Sequence, residues 1–126
     1  MRRFISICLI TKNVRRLRDF YRTVLEAGCE GNDGFVAFST SGAQLCIFSE
    51  QGMEEMAPGC MEGAGHGSHA LEFEVDDADA EYERLKQLDV AIVKPPATYP
   101  WGQRSVWFRD PDGNIVDFYA RVAAAT

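Results

Sequence analysis

Asp117 stands in the run FRDPDGNIVDFYA, residues 108–120, among Ile115, Val116, Phe118 and Tyr119. A carboxyl in that company is either the wet face of an edge strand or a group lining a site. Glu72 occupies a second apolar stretch, HALEFEV, residues 69–75. If the two carboxyls share a site, like charges push one pKa upward and the pair becomes a general acid and base. Other chemistry-bearing residues are few. The two histidines are His66 and His69, which also suit a solvated loop and a strand start. Cys8, Cys29, Cys46 and Cys60 show no CxxC or zinc-like spacing, and Cys8 and Cys46 lie in apolar runs where a thiol behaves as a small hydrophobe. All four are expected to be reduced, as in a cytoplasmic protein.

A second unusual stretch is PPATYPWGQR, residues 95–104. Its prolines stiffen the backbone, and Trp101-Gly102 places a large aromatic on a turn. Trp101 and Trp107 are candidates to stack on a planar ligand, with Arg104 as a planar donor for an anionic group. Trp101 plugging the fold or a dimer contact is the alternative. Residues 50–68, EQGMEEMAPGCMEGAGHGS, show no period and read as a linker with some part in access to a site.

The elements that must position these residues follow from periodicity. FISICLIT, residues 4–11, suits a strand, and Asn13 can cap a helix whose apolar positions are Val14, Leu17, Phe20, Tyr21 and Val24. The glycines of AGCEGNDG are expected to end that helix. FVAFST and AQLCIFS flank Ser41-Gly42 as a hairpin, and a short strand is possible near residue 29. The second half repeats this order. HALEFEV alternates, Asp77 can cap ADAEYERLKQL with Tyr82, Leu85 and Leu88 as its stripe, and VAIVK, RSVWFR and NIVDFYA are further strands. DPDG joins the last two, with Pro111 presetting φ and Gly113 tolerating a positive φ. Strand–helix–strands recurring after roughly 65 residues is an internal duplication.

With 126 residues the chain can bury a core as one domain, 1–126: module one at about 1–50, a linker over 50–68 and module two at about 69–122. Net charge is −6, and no long basic run occurs, which argues against nucleic acid and anionic membrane as partners. No segment approaches membrane-spanning length.

SICLITKNVRRLRDFYRTVL, LEFEVDDADAEYERL and FRDPDGNIVDFY together resemble the vicinal oxygen chelate superfamily of glyoxalase, bleomycin-resistance and extradiol-dioxygenase proteins. The resemblance implies an α+β fold of two paired βαβββ modules forming a curved, cup-shaped mixed sheet with helices on the outer face, in a homodimer. Metal-dependent members hold a divalent ion in the cup through His and Glu ligands on four strands. Here those positions fall on Ser6, on Gln44 or Cys46, on Ala70 and on Asp117. His69 neighbours Ala70, but a one-residue offset sends its side chain to the other face unless a bulge before Phe73 re-aims it. One candidate ligand in four does not make a metal site, so no cofactor is expected, and a divalent metal is disfavoured.

Alternation places Ser6, Cys8, Ile10, Glu72 and Glu74 opposite the helix-facing Ile7, Leu9, Leu71, Phe73 and Val75. Gln44, Cys46 and Phe48 share a face, as do Ile115, Asp117 and Tyr119. The resulting lining of Ser6, Gln44, Cys46, Phe48, Glu72, Asp117 and Tyr119 suits a small organic ligand, and the fold that the resemblance implies would set the 95–104 stretch near the mouth, bringing Trp101 and Arg104, with Trp107 as a further stacking candidate. Two functions follow as expectations. One is binding of an amphipathic or aromatic molecule without a metal. The other is a glyoxalase-type lyase or isomerase that uses Asp117 and Glu72, with a metal or as bare acid/base groups. An exposed Glu72, or one paired with Arg104, would count against the second.

Overall fold

The computed structural model describes residues 1–65 and 69–123. The chain comprises two compact units, Met1–Ala64 and Gly65–Thr126, and each carries one open four-stranded mixed sheet.

In the first unit the elements run β1 (Ser6–Thr11), α1 (Val14–Leu25), β2 (Glu30–Gly31), β3 (Phe35–Phe38), β4 (Gln44–Ser49) and α2 (Glu50–Met56). The sheet order is β1-β4-β3-β2, with β1 parallel to β4 and the other pairs antiparallel. Asn13 caps α1, its Oδ1 accepting from the Arg16 amide at 3.0 Å. Val14, Leu17, Tyr21 and Val24 form its buried stripe against Val36, Phe38, Leu45 and Ile47. The helix does not end on a glycine. Glu26 adopts the left-handed conformation at the C-cap, φ 51°, so the turn is complete before Gly28 is reached. The expected hairpin closes as read, and Thr40 Oγ1 bridges its turn by accepting from the Gly42 amide and donating to the Ala43 carbonyl.

The stretch 50–68 is not wholly linker. Ser49 Oγ accepts from the Gly52 amide at 2.8 Å and starts α2. Glu54 then holds the following turn, its carboxylate accepting from the Gly59 and Met61 amides at 2.6 and 3.2 Å. Seven residues with no buried side chain leave no period to detect.

In the second unit β5 (Ala70–Glu74), α3 (Ala78–Lys86), β6 (Ala91–Tyr99), β7 (Gln103–Arg109) and β8 (Ile115–Arg121) form a sheet of order β5-β8-β7-β6. This repeats the first unit's topology, with β5 parallel to β8. Asp77 caps α3 through Ala80 N at 3.1 Å, and Ala78 and Leu85 bury against a face made by Val106, Phe108, Val116 and Phe118. Leu88, expected in the stripe, lies beyond the helix and is exposed.

β6 is longer than VAIVK and continues through Pro95 and Pro96. Prolines are tolerated there because β6 is an edge strand, with only one neighbour to hydrogen-bond. Its ladder with β7 slips twice, between Ile92 and Lys94 and between Lys94 and Ala97. The β7–β8 turn is built around Asp110. Its Oδ1 accepts from the amides of Asp112 and Asn114, both at 2.9 Å, and its Oδ2 from Asn114 Nδ2 at 2.8 Å, while Gly113 takes φ 88°.

Candidate functional site

The face of the second sheet away from α3 carries one row of side chains across all four strands. Glu72 on β5 lies opposite Asp117 on β8, Asp117 opposite Trp107 on β7, and Trp107 opposite Lys94 on β6. Alternation along β8 puts the buried Val116, Phe118 and Ala120 on the helix side, which forces Asp117 to this one, with half-buried Ile115 and Tyr119 as neighbours. The next row holds Tyr119 opposite Ser105.

Asp117 is the centre of the row. It is 7 % exposed, and its Oδ1 has no hydrogen-bond partner among the described residues. Its pKa is pushed up to about 6, chiefly by burial and further by the Glu72 carboxylate; Lys94 and a hydrogen bond from the Trp107 side chain pull the other way. Glu72 is exposed, at the wet end of the row.

Lys94 escaped the sequence reading. Strict alternation would set it on the helix side with Ile92, which pairs with Phe108. The extra residue at Val93 turns Lys94 to the opposite side, facing Trp107. There its Nζ donates to Ser105 O and Oγ at 2.9 and 3.0 Å and sits 4.9 Å from the ring centroids of both Tyr99 and Trp107. A bulge leaves no mark in the residue pattern; the neighbouring Pro95-Pro96 was the one usable hint, since prolines accompany irregular edge strands.

The other expected residues divide. Tyr119 and Trp107 belong to the row's face. Arg104 does not: it shares its side of β7 with Val106 and Phe108, and its guanidinium grips Asp79 of α3 at 2.8 and 2.9 Å and Thr98 Oγ1 at 2.9 Å. It therefore neither pairs with Glu72 nor reaches this face. Trp101 is 69 % exposed and lies flat on Tyr99, centroids 4.8 Å apart. In the first unit Ser6 lies opposite Gln44 and Cys8 opposite Cys46, on the side away from α1, with Ile10 opposite Phe48. Cys46 Sγ lies 3.6 Å from Gln44 Oε1, and Phe48 meets Phe35 edge to face. Burial raises the thiol pKa of Cys46 and of Cys8, the latter also through Cys46. This keeps both as thiols rather than thiolate ligands.

The row does not fit a divalent cation. Asp117 has one carboxylate neighbour, Glu72, and beyond Trp107 an ammonium rather than a further ligand. Among the described residues no three His, Cys, Asp or Glu side chains converge. The β5–β8 register runs unbroken from Ala70 to Glu74, so no bulge re-aims His69, which precedes the strand and is exposed. His66 lies outside the described residues.

Comparison with known proteins agrees with the fold. Uncharacterized protein YraH of Bacillus subtilis (strain 168) is 25% identical over 124 residues, covering 93% of this chain and 97% of that protein. A glyoxalase/bleomycin resistance protein/dioxygenase from Nocardioides superposes with a TM-score of 0.80 at 25% identity, over 100% of this chain and 87% of its own. A lactoylglutathione lyase from Agrobacterium tumefaciens shares the fold at a TM-score of 0.73 and 21% identity, over 92% of this chain and 91% of its own. Among the described residues no helix is long and apolar enough to cross a membrane. The sequence model of one family covers residues 3–118, and with the repeated sheet topology it establishes that the chain belongs to the Glyoxalase/Bleomycin resistance protein/Dioxygenase superfamily.

Proposed function

We infer that the second sheet's open face binds a small, partly aromatic organic molecule without a metal. The observation that carries this reading is Asp117 Oδ1, a buried acceptor with no partner among the described residues, set beside an accessible indole. An unpaired buried acceptor costs free energy that a ligand's N–H or O–H would recover. Trp107, with 36 % of its surface free, offers an apolar wall next to that acceptor. A thermal-shift screen of aromatic amines, phenols and antibiotics, followed by calorimetry, tests it. A ligand should raise the melting temperature of the wild type, and Asp117→Ala should weaken it at least about tenfold. A screen without shifts, or a ligand indifferent to Asp117→Ala, would sink the reading.

A second reading rests on a different observation. A carboxyl titrating near pH 6 is suited to give and take protons near neutrality. The exposure of Glu72 counts against a two-carboxyl mechanism, so in this reading Asp117 alone is the acid/base group of a glyoxalase-type isomerase or lyase, and the Glu72 charge only helps to raise its pKa. Turnover of a carbonyl substrate should then follow an ionisation near pH 6 that vanishes in Asp117→Asn. The family resemblance further supports a homodimer, which light scattering on the purified chain would check.

A further inference from the structure

We propose that Lys94 is the specificity-determining cation of this face, selecting ligands that carry an anionic oxygen on the side remote from the group that meets Asp117. The inference rests on the binding reading above and names its ligand class: small planar aromatic acids with an amino or hydroxyl donor across the ring.

Three features support it. An ammonium has three N–H donors, and Ser105 O and Oγ account for two of those on Lys94. Among the described residues the third meets no acceptor. Lys94 is also held rather than free to wander, half-buried with its Nζ between the rings of Tyr99 and Trp107. A fixed, partly desolvated cation discriminates charge far better than one on a mobile surface chain. Finally, Lys94 and Asp117, whose Oδ1 has no partner among the described residues, flank one indole. β6 and β8 are separated by β7, so their backbones lie two strand spacings apart, about 10 Å. A ring lying on Trp107 would have the cation toward one edge and the acceptor toward the other. The bulge at Val93 is what gives the row its cation.

The plain alternative is that Lys94 only ties β6 to β7 through Ser105. Calorimetry with a matched pair of probes separates the two: para-aminobenzoate and its neutral isostere para-aminobenzamide, above neutral pH. The wild type should prefer the acid by roughly 10–100-fold, the range for one hydrogen bond to a charged group. Lys94→Gln, which can still donate to Ser105, should lose that preference. Lys94→Arg should keep most of it. Equal binding of the two probes by wild type, or a preference surviving in Lys94→Gln, would overturn the role of Lys94 and leave the binding reading standing. Failure of both probes to bind at millimolar concentration would overturn this ligand class, and failure of the wider screen as well would remove the binding reading. If Lys94→Gln does not fold, the wild-type comparison of acid and amide decides alone.

Discussion

Glu72 and Asp117 lie directly opposite one another in a parallel ladder without a register shift, yet only Asp117 is buried. Parallel neighbours on one face bring the carboxyls close enough to repel, and burial makes Asp117 the member that yields. Its pKa rises to about 6 while Glu72 faces water. Burial thus shifts the titration of Asp117, and the Glu72 charge adds to that shift.

Stability should therefore depend on pH through Asp117. Its folded pKa, about 6, is above the ordinary value of 3.8. The native state thus holds the proton more tightly than the unfolded chain. The stabilising term is complete below the unfolded value and is lost as pH rises through the folded one. Above neutrality the ionised carboxyl costs on the order of 3 kcal/mol. Asp117→Asn removes that term. Denaturant melts should show the variant more stable than wild type by up to about 3 kcal/mol near pH 8, with the two curves converging near pH 4.

The sheet faces were legible in the sequence because strict alternation leaves little freedom. Leu71 and Phe73 pack toward the helix side, so Glu72 had to oppose Asp117, and Leu9, Leu45 and Ile47 fixed Ser6, Gln44 and Cys46 in the same way. What failed lies where alternation is broken or too short to apply. Lys94 changes sides at a bulge, and Arg104 reads as a ligand contact until Asp79 on α3 is seen to hold it. The seven residues of α2 rest on a Ser49 cap and on the Glu54 clamp, neither of which produces a hydrophobic period.

Asp110→Ala tests the turn that presents β8. Asp110 is 4 % exposed and accepts hydrogen bonds from the Asp112 and Asn114 amides and from the Asn114 side chain. Removing the carboxylate leaves those donors without it in a largely buried turn. The expected loss is about 2–4 kcal/mol, read by chemical denaturation. Asp79→Ala breaks an exposed, water-screened ion pair instead and should cost far less than Asp110→Ala.

Gly52 permits α2 to sit where it does. A Cβ there would fall 2.5 Å from Phe48 Cζ and 2.9 Å from Ser49 Oγ, the helix's own cap. Gly52→Ala gains up to about 1 kcal/mol of helix propensity. It must also displace a ring that packs edge to face on Phe35, and overpacking costs about 1–3 kcal/mol. The balance should be a net loss of stability, visible as a lower melting temperature. A variant as stable as wild type would mean that the Phe48 ring moves aside freely.

The neighbours of Asp117 act on its titration with opposite signs, so single substitutions in the row should move its pKa in opposite directions. Glu72→Gln removes a repelling charge and should lower the pKa, modestly because Glu72 is exposed and water screens it. Trp107→Phe removes a side-chain donor that favours the carboxylate, and Lys94→Gln removes the attracting charge, so each should raise it. Carbon NMR of the carboxyl group, followed from acid to neutral pH, reads all three. If Lys94→Gln left the titration of Asp117 unmoved, the ammonium would be too well screened to act along the row. A fall on Glu72→Gln together with rises on the other two would establish the four residues as one electrostatic unit.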